Sequence, residues 1–188
     1  MKKFFLGVTA TLAGAVLVTL FVGLTGRISM RADILPSAFE KNIAMRLMDA
    51  NVARIAPKVA NPVQPTDQNL MSGASIYLKH CAVCHGDPSQ PESRLAETLY
   101  PPPPQFIRDA PDMAENENYY IVSHGVRWTG MPGWKNVLAD RKIWTVVTFL
   151  SHMDNLPPAA KSAFAPPADR PAAAPPTQSM KKMPKMKM

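Results

Sequence analysis

The stretch Cys81-Ala82-Val83-Cys84-His85 holds both cysteines of this 188-residue chain. Two thiols three positions apart, followed at once by a histidine, are the signature of covalent haem attachment, in which the thiols add to the two vinyl groups and the imidazole binds iron. A thioredoxin-like redox pair would need a preceding strand in a βαβ unit, and a zinc site would need a second ligand pair at similar spacing. The sequence contains neither pattern. We therefore predict one covalent haem c held by Cys81, Cys84 and His85.

A second axial ligand of the iron is expected further along the chain. Met131 lies in Thr129-Gly130-Met131-Pro132-Gly133, where Gly130 permits close approach to a flat ligand and Pro132 stiffens the loop. We predict Met131 as this ligand, and keep His124 and an open coordination site as alternatives. The remaining candidates, which we interpret as structural, are His80, His152, Met113 and Met153.

Apolar residues recur at helical spacing in several segments, and no segment alternates with period two. The fold class is therefore predicted as all-α. Ser37 and Glu40 fit a capping box, Gly125 suits a helix C-cap, and Thr66 or Asp67 and then Asp140 are candidate N-caps. The predicted helices are 38–56, 66 or 67 to about 82, 114–124, and about 140–153.

The N-terminal residues 4–26 carry no charge. At a rise of about 1.5 Å per residue they would span roughly 34 Å as a helix, enough to cross a bilayer. A cleaved signal peptide is the alternative, but its apolar region is usually only about 7–15 residues long. We predict an uncleaved anchor over residues 1–27. Its flanking basic residues, Lys2 and Lys3 against Arg27 and Arg31, do not decide its orientation.

Three further regions follow the predicted anchor. Residues 28–65 are interpreted as an extracytoplasmic amphipathic helix with a linker; the helix either packs on the next domain or a partner subunit, or lies on the membrane surface. Residues 66–156 are the predicted haem domain. Residues 157–188 are rich in Pro and Ala without apolar periodicity, which predicts a disordered tail. Its four methionines could alternatively bind Cu(I); they are Met180, Met183, Met186 and Met188.

The net charge of +7 at first favours a nucleic-acid or anionic-surface partner. Within residues 66–156, however, acidic residues outnumber basic ones, so the positive charge belongs to the anchor, the linker and the tail. The predicted working domain is mildly acidic, and we therefore expect no nucleic-acid binding.

Residues 66–156 resemble the small monohaem class I cytochrome c domains of bacteria. The resemblance rests on Gly73-x-x-x-Tyr77-x-x-x-Cys81-x-x-Cys84-His85-Gly86, on Thr129-Gly130-Met131-Pro132, and on Ile143-Trp144. It implies three or four helices wrapped around one haem, with His85 and Met131 as axial ligands. It also implies that the first and last helices of the domain cross at Gly73, with Tyr77 and Trp144 at the contact. A proline of the 101–104 run is expected to direct its carbonyl at His85.

A haem iron with histidine and methionine ligands is typical of one-electron transfer rather than of an enzyme. Because haem is attached outside the cytoplasm, we expect the N-terminus inside and the haem domain in the periplasm, tethered to a bacterial inner membrane. The expected partners are a quinol-oxidising complex, a terminal oxidase, a photosynthetic reaction centre or a dehydrogenase. The alternatives are a fixed haem subunit of a larger membrane redox complex, and a haem enzyme or gas-binding protein. Arg127 could neutralise a haem propionate.

Overall fold

The computed structural model describes residues 1–165, so the predictions about the methionines and basic residues of the tail lie outside the described part. The described residues are all-helical, as predicted, and contain no strand beyond an isolated bridge between Asp87 and Gln90. The chain divides into one compact unit at Met1–Arg31 and a second that begins at Ala32.

Seven α-helices and two short 3-10 turns make up the described chain. The 3-10 turns are Leu95–Thr98 and Met153–Asn155. The helices are α1 (Lys2–Leu24), α2 (Ala38–Ile55), α3 (Asp67–His80), α4 (Ala82–His85), α5 (Glu115–His124), α6 (Asp140–Ser151) and α7 (Pro158–Phe164).

The first unit is dominated by α1. This helix has 23 residues, a mean hydropathy of 2.2 over its most apolar window, and no buried residue. Its length and composition are sufficient to cross a membrane, and a signal sequence would meet the same criteria. Thr9, Thr11 and Thr19 donate hydrogen bonds to carbonyls one turn earlier, which satisfies their hydroxyls within the helix.

Side-chain caps fix the starts of α2 and α3. The Ser37 hydroxyl accepts from the Glu40 amide at 3.2 Å, as the capping box predicts, whereas the Glu40 carboxylate accepts from the Tyr100 hydroxyl. Thr66 accepts from the Asn69 amide at 3.3 Å and begins α3. Both caps satisfy amides that have no partner inside their helix.

The core of the second unit forms where α3, α6 and α7 meet. A Cβ atom at Gly73 would lie 2.5 Å from the Phe149 Cβ and 2.6 Å from the Thr145 carbonyl oxygen. Only glycine therefore allows α3 and α6 to approach this closely. The Tyr77 ring is fully buried and lies 5.6 Å from the Phe149 ring and 5.7 Å from the Phe164 ring, between centroids.

The crossing of α3 and α6 at Gly73 follows the expectation from the resemblance, but the aromatic partner differs. Trp144 stacks on Tyr119 of α5 at 4.1 Å, so it joins α5 to α6, and Phe149 takes the place beside Tyr77. Asp140 is also not the N-cap of α6; Ala139 is, and the Asp140 carboxylate accepts from the Tyr119 hydroxyl at 3.1 Å.

Helix α7 corrects the prediction of disorder at the start of the tail. Pro158 lies at the first position of this helix, where proline costs no hydrogen bond. Ala160 is fully buried and Phe164 is 8% exposed, and α7 packs against α3. Ala160 and Phe164 are only one helical turn apart, and two residues are too few to show apolar periodicity. Their place in the core is therefore visible only in the folded structure.

Candidate functional site

Both cysteines lie at the junction between α3 and α4. Cys81 ends α3 and begins α4, and Cys84 follows one turn later, so the two thiols lie on one side of a single helical turn. Both are free and partly buried, and Cys81 packs against the hydrophobic core. The structure thus brings together the two predicted attachment residues without a disulfide.

The environment of these thiols differs from that of a redox-active pair. Burial, together with the nearby Cys84, raises the pKa of the Cys81 thiol to about 12, and burial also raises the pKa of the Cys84 thiol. Redox-active Cys-x-x-Cys pairs instead have a lowered thiol pKa. The described chain also lacks the strand of a βαβ unit. Both observations argue against the thioredoxin-like alternative.

His85 is the best-fixed side chain of the site. It is 7% exposed, and its Nδ1 lies 2.8 Å from the Pro104 carbonyl oxygen, to which the ring N–H donates. The imidazole stacks on Phe106 with centroids 4.3 Å apart and planes 4° from parallel. Burial lowers the pKa of His85, which favours the neutral ring. With the proton on Nδ1, Nε2 keeps a lone pair for a metal.

Pro104 is therefore the residue of the 101–104 run that directs its carbonyl at His85, a choice that the sequence left open. The Tyr100–Pro101 peptide bond is cis. The segment that follows Pro104 is tied to α4 at a second point, because the Phe106 amide donates to the His85 carbonyl at 3.0 Å.

Two residues that the sequence analysis did not single out also hold this segment in place. The Gln105 side-chain amide donates to the Cys84 carbonyl at 3.0 Å, and its oxygen accepts from the Ser93 amide at 2.7 Å. The Ser93 hydroxyl donates to the Val83 carbonyl. The sequence carries no signal for these contacts, since a glutamine and a serine are ordinary loop residues until the loop path is known.

The backbone after His85 is fixed from the α3 side. The Tyr77 hydroxyl donates to the Gly86 carbonyl at 2.7 Å, and the His85 carbonyl is 3.3 Å away. Gly86 has a φ of 85°, and a Cβ atom there would lie 2.6 Å from the Pro91 carbonyl oxygen. Glycine at this position thus permits the turn that leads out of α4.

Met131 lies in a short closed turn. Its amide donates to the Thr129 hydroxyl at 3.0 Å, the Thr129 hydroxyl donates to the Val126 carbonyl at 2.8 Å, and the Val126 amide donates to the Met131 carbonyl at 3.2 Å. The half-buried Met131 packs against the same hydrophobic core as Cys81. A Cβ atom at Gly130 would lie 3.1 Å from a Leu99 methyl group, so the Leu99 side chain packs closely against this side of the turn.

The other candidate ligands have structural contacts. His80 packs its ring edge against Trp134 at 5.1 Å. His124 is exposed with Nδ1 near the Tyr120 carbonyl, and His152 Nδ1 lies 2.9 Å from the Thr148 carbonyl oxygen. Arg127 is exposed and lies over the ring of Trp128. Trp128 has a φ of 60° and is 88% exposed.

The residues at this site fit a covalently bound haem. Two free thiols, one turn apart, precede a buried imidazole whose Nδ1 already has a hydrogen-bond partner. No cluster of three or more His, Cys, Asp or Glu side chains occurs among residues 1–165 that could hold a metal ion without a prosthetic group. Thiols for attachment plus a single oriented imidazole are the donor set of haem c.

A family match agrees with this donor set. Residues 68–150, fewer than half of the chain, match the family model described as cytochrome c oxidase, cbb3-type, subunit III. A solved structure of a reducing HAO-like protein complex of Kuenenia stuttgartiensis is similar at 21% identity and a TM-score of 0.41, over 50% of this chain and 48% of the other. No curated protein matches the sequence.

The family match and the attachment motif cover the same residues. The matched range contains α4, α5 and all but one residue of both α3 and α6, together with Cys81, Cys84 and His85. Residues 68–150 are therefore a c-type cytochrome domain, which implies haem c as the cofactor and electron transfer as the function.

Proposed function

We propose that this chain is a membrane-tethered monohaem cytochrome that transfers single electrons and is not itself an enzyme. The observation that carries the proposal is the hydrogen bond between His85 Nδ1 and the Pro104 carbonyl at 2.8 Å. It orients the imidazole and leaves Nε2 available beside the two attachment cysteines. One haem c bound here would supply an iron that cycles between Fe(III) and Fe(II).

Cys81 and Cys84 are proposed to form the thioether bonds, and His85 to be one axial ligand. Their positions on one turn keep the three groups at fixed spacing, and Tyr77 and Gln105 hold the backbone on both sides of that turn. A tightly held site would change little in geometry when a bound iron changes between Fe(III) and Fe(II). A small change in geometry keeps the reorganisation energy of electron transfer low.

Met131 is proposed as the second axial ligand. The closed turn from Val126 to Met131 presents a half-buried thioether without a charged neighbour in the turn other than Arg127. Thioether sulfur is a weak, soft donor that favours ferrous iron and so raises the reduction potential. With both axial positions filled, oxygen and peroxide would find no open coordination site.

Helix α1 is proposed to anchor the chain in a bacterial inner membrane, with the haem domain in the periplasm. This predominantly apolar helix of 23 residues has the required length, and covalent haem attachment takes place outside the cytoplasm. The tether would keep the domain close to membrane redox complexes. The proposed partners are a quinol-oxidising complex, a terminal oxidase, a reaction centre or a dehydrogenase.

Covalent haem staining of the full chain after denaturing electrophoresis tests this proposal. We expect stain on the wild-type chain and none on the Cys81→Ala/Cys84→Ala double variant, whereas the exposed neighbour variant Val83→Ala keeps it.

Met131→Ala should abolish the near-infrared sulfur–iron band of the oxidised protein, and Met153→Ala should retain that band. A wild-type chain without covalent haem would refute the proposed function, and a band unaffected by Met131→Ala would refute the ligand assignment.

A fixed subunit of a larger membrane oxidoreductase is a second candidate function. The observation that favours it is the match to a family described as a subunit of cbb3-type cytochrome c oxidase. Purification in mild detergent distinguishes the two. A stoichiometric complex would support a fixed subunit, and a lone monomer that is still reduced by added donor would support a free tethered carrier.

A further inference from the structure

Helix α2 packs against the rest of the second unit mainly through one face. Val52 and the capping residue Ala56 are 4% and 3% exposed, and the helix contacts α5. Tyr100 donates to Glu40 near the start of α2, and Asn116 of α5 donates to the Pro57 carbonyl just beyond its end. These contacts fix the orientation of α2 on the domain and leave its opposite side in solvent.

The solvent side of α2 carries large apolar side chains, whereas an amphipathic helix packed on a domain usually turns its polar side to solvent. Phe39, Ile43 and Leu47 are 76%, 43% and 68% exposed. They are spaced four residues apart, so they form one continuous ridge along the helix. We call this ridge, together with the exposed arginines Arg46 and Arg54, the α2 outer face.

Basic residues flank the ridge. At 100° per residue, Arg46 and Arg54 lie on the same half of the helix as Phe39, Ile43 and Leu47, and both arginines are exposed. Glu40 also lies on this half, at its edge beside Leu47, and its carboxylate accepts a hydrogen bond from the Tyr100 hydroxyl. Large apolar side chains combined with arginines are typical of helices that lie in the interface of an anionic bilayer.

We propose that the α2 outer face binds the surface of an anionic lipid bilayer. Charge complementarity favours lipid phosphates for the arginines, and the apolar ridge fits the boundary between headgroups and acyl chains. The inference builds on the anchoring role proposed for α1. Residues 25–37, which join α1 to α2, reach at most about 45 Å even when fully extended, so the start of α2 cannot lie farther than this from the end of the proposed anchor.

This contact gives α2 a role that the tether alone does not supply. A domain held by residues 25–37 alone could turn freely above the membrane. Binding through the α2 outer face restricts its rotation, so that the same side of the haem domain always faces away from the lipid. Redox partners in the membrane would then meet a domain of constant orientation.

Photo-crosslinking of the full chain tests the proposal. Phe39→p-benzoylphenylalanine places a photoreactive ring of similar shape on the ridge, and Ala44→p-benzoylphenylalanine places it at an exposed position on the flank of the same helix. Each variant is reconstituted in phosphatidylethanolamine vesicles containing phosphatidylglycerol, irradiated, and analysed by intact mass spectrometry.

We expect a phospholipid adduct at position 39 at least fivefold more abundant than at position 44. Adding Arg46→Glu and Arg54→Glu, or replacing phosphatidylglycerol by phosphatidylcholine, should reduce that adduct at least twofold. No lipid adduct at position 39, or equal adducts at both positions, would overturn the proposal. A protein-sized adduct that replaces the lipid adduct in native membranes would also overturn it and identify the α2 outer face as a protein interface.

Two further measurements on the same samples test the proposed function independently of the lipid contact. Haem staining reports the attachment of the cofactor, and resistance to alkaline carbonate extraction reports the insertion of α1. A chain that carries haem and stays in the membrane but gives no lipid adduct at position 39 contradicts the inference about α2 alone.

Discussion

Helices α6 and α2 have similar apolar spacing in the sequence but opposite roles in the fold. In α6, residues 143–150 are all buried, because α3, α5 and neighbouring segments cover the helix on every side. In α2, Val52 is the one buried residue, and three large apolar side chains remain in solvent. Apolar spacing therefore indicates that a helix has a face to cover, whereas the surrounding elements decide whether anything covers it.

Phe149→Ala should give the largest loss of stability, because it removes a buried ring from α6. Its ring lies 5.6 Å from Tyr77 and 4.9 Å from Phe164, and its removal leaves a cavity between three helices. We expect the free energy of unfolding to fall by about 3–5 kcal/mol. Denaturant unfolding of the detergent-solubilised full chain, followed by circular dichroism, measures it. Val137→Ala, at a 66% exposed site, is the control, and a loss below about 1 kcal/mol for Phe149→Ala would contradict the packing.

Phe164→Ala tests whether α7 truly belongs to this core. The Phe164 ring packs edge-on against Tyr77 and Phe149, yet it lies at the end of a seven-residue helix that can yield locally. We expect a loss of about 3 kcal/mol, at the low end for a buried phenylalanine. The same unfolding measurement applies, with the exposed α7 variant Lys161→Ala as control. Equal stability of the two variants would place α7 outside the cooperative core.

Gly73→Ala tests the closeness of α3 and α6. The added methyl group would lie 2.6 Å from the Thr145 carbonyl oxygen, which is backbone and cannot rotate away. Alanine favours the helix intrinsically, so any destabilisation reports the steric overlap. We expect a loss of about 1–3 kcal/mol. Ser75→Ala, at an exposed position of α3, should change the stability by less than about 0.5 kcal/mol; a stabilising Gly73→Ala would refute the close crossing.

Ile43→Ser should have the smallest effect on stability, because it changes a side chain on the exposed side of α2. Because Ile43 is 43% exposed, we expect a change within about 0.5 kcal/mol in detergent. Val52→Ala on the same helix, at a 4% exposed site, should cost more than about 1 kcal/mol. Similar losses for both variants would mean that α2 buries its two faces alike.

Much of the candidate site could be predicted because its chemistry is local in sequence. Cys81, Cys84 and His85 lie within five positions, so one helical turn brings them together whatever the rest of the fold does. The contacts of Gln105 and Ser93 could not be predicted, because they depend on the path of a loop rich in proline. For the same reason the choice of Pro104 required the structure, since four consecutive prolines offer four equivalent carbonyls.

From the amino-acid sequence alone we could predict the all-helical class, the attachment motif and the apolar N-terminal helix. Each of these is written in local spacing or in the identity of one residue, and short-range geometry is enough to interpret it. The folded structure was needed to show that Phe149 rather than Trp144 packs on Tyr77, that α7 completes the core, and that Phe39, Ile43 and Leu47 stay exposed. These outcomes depend on which surfaces meet across long sequence separations, and such pairings have no periodic signal along the chain.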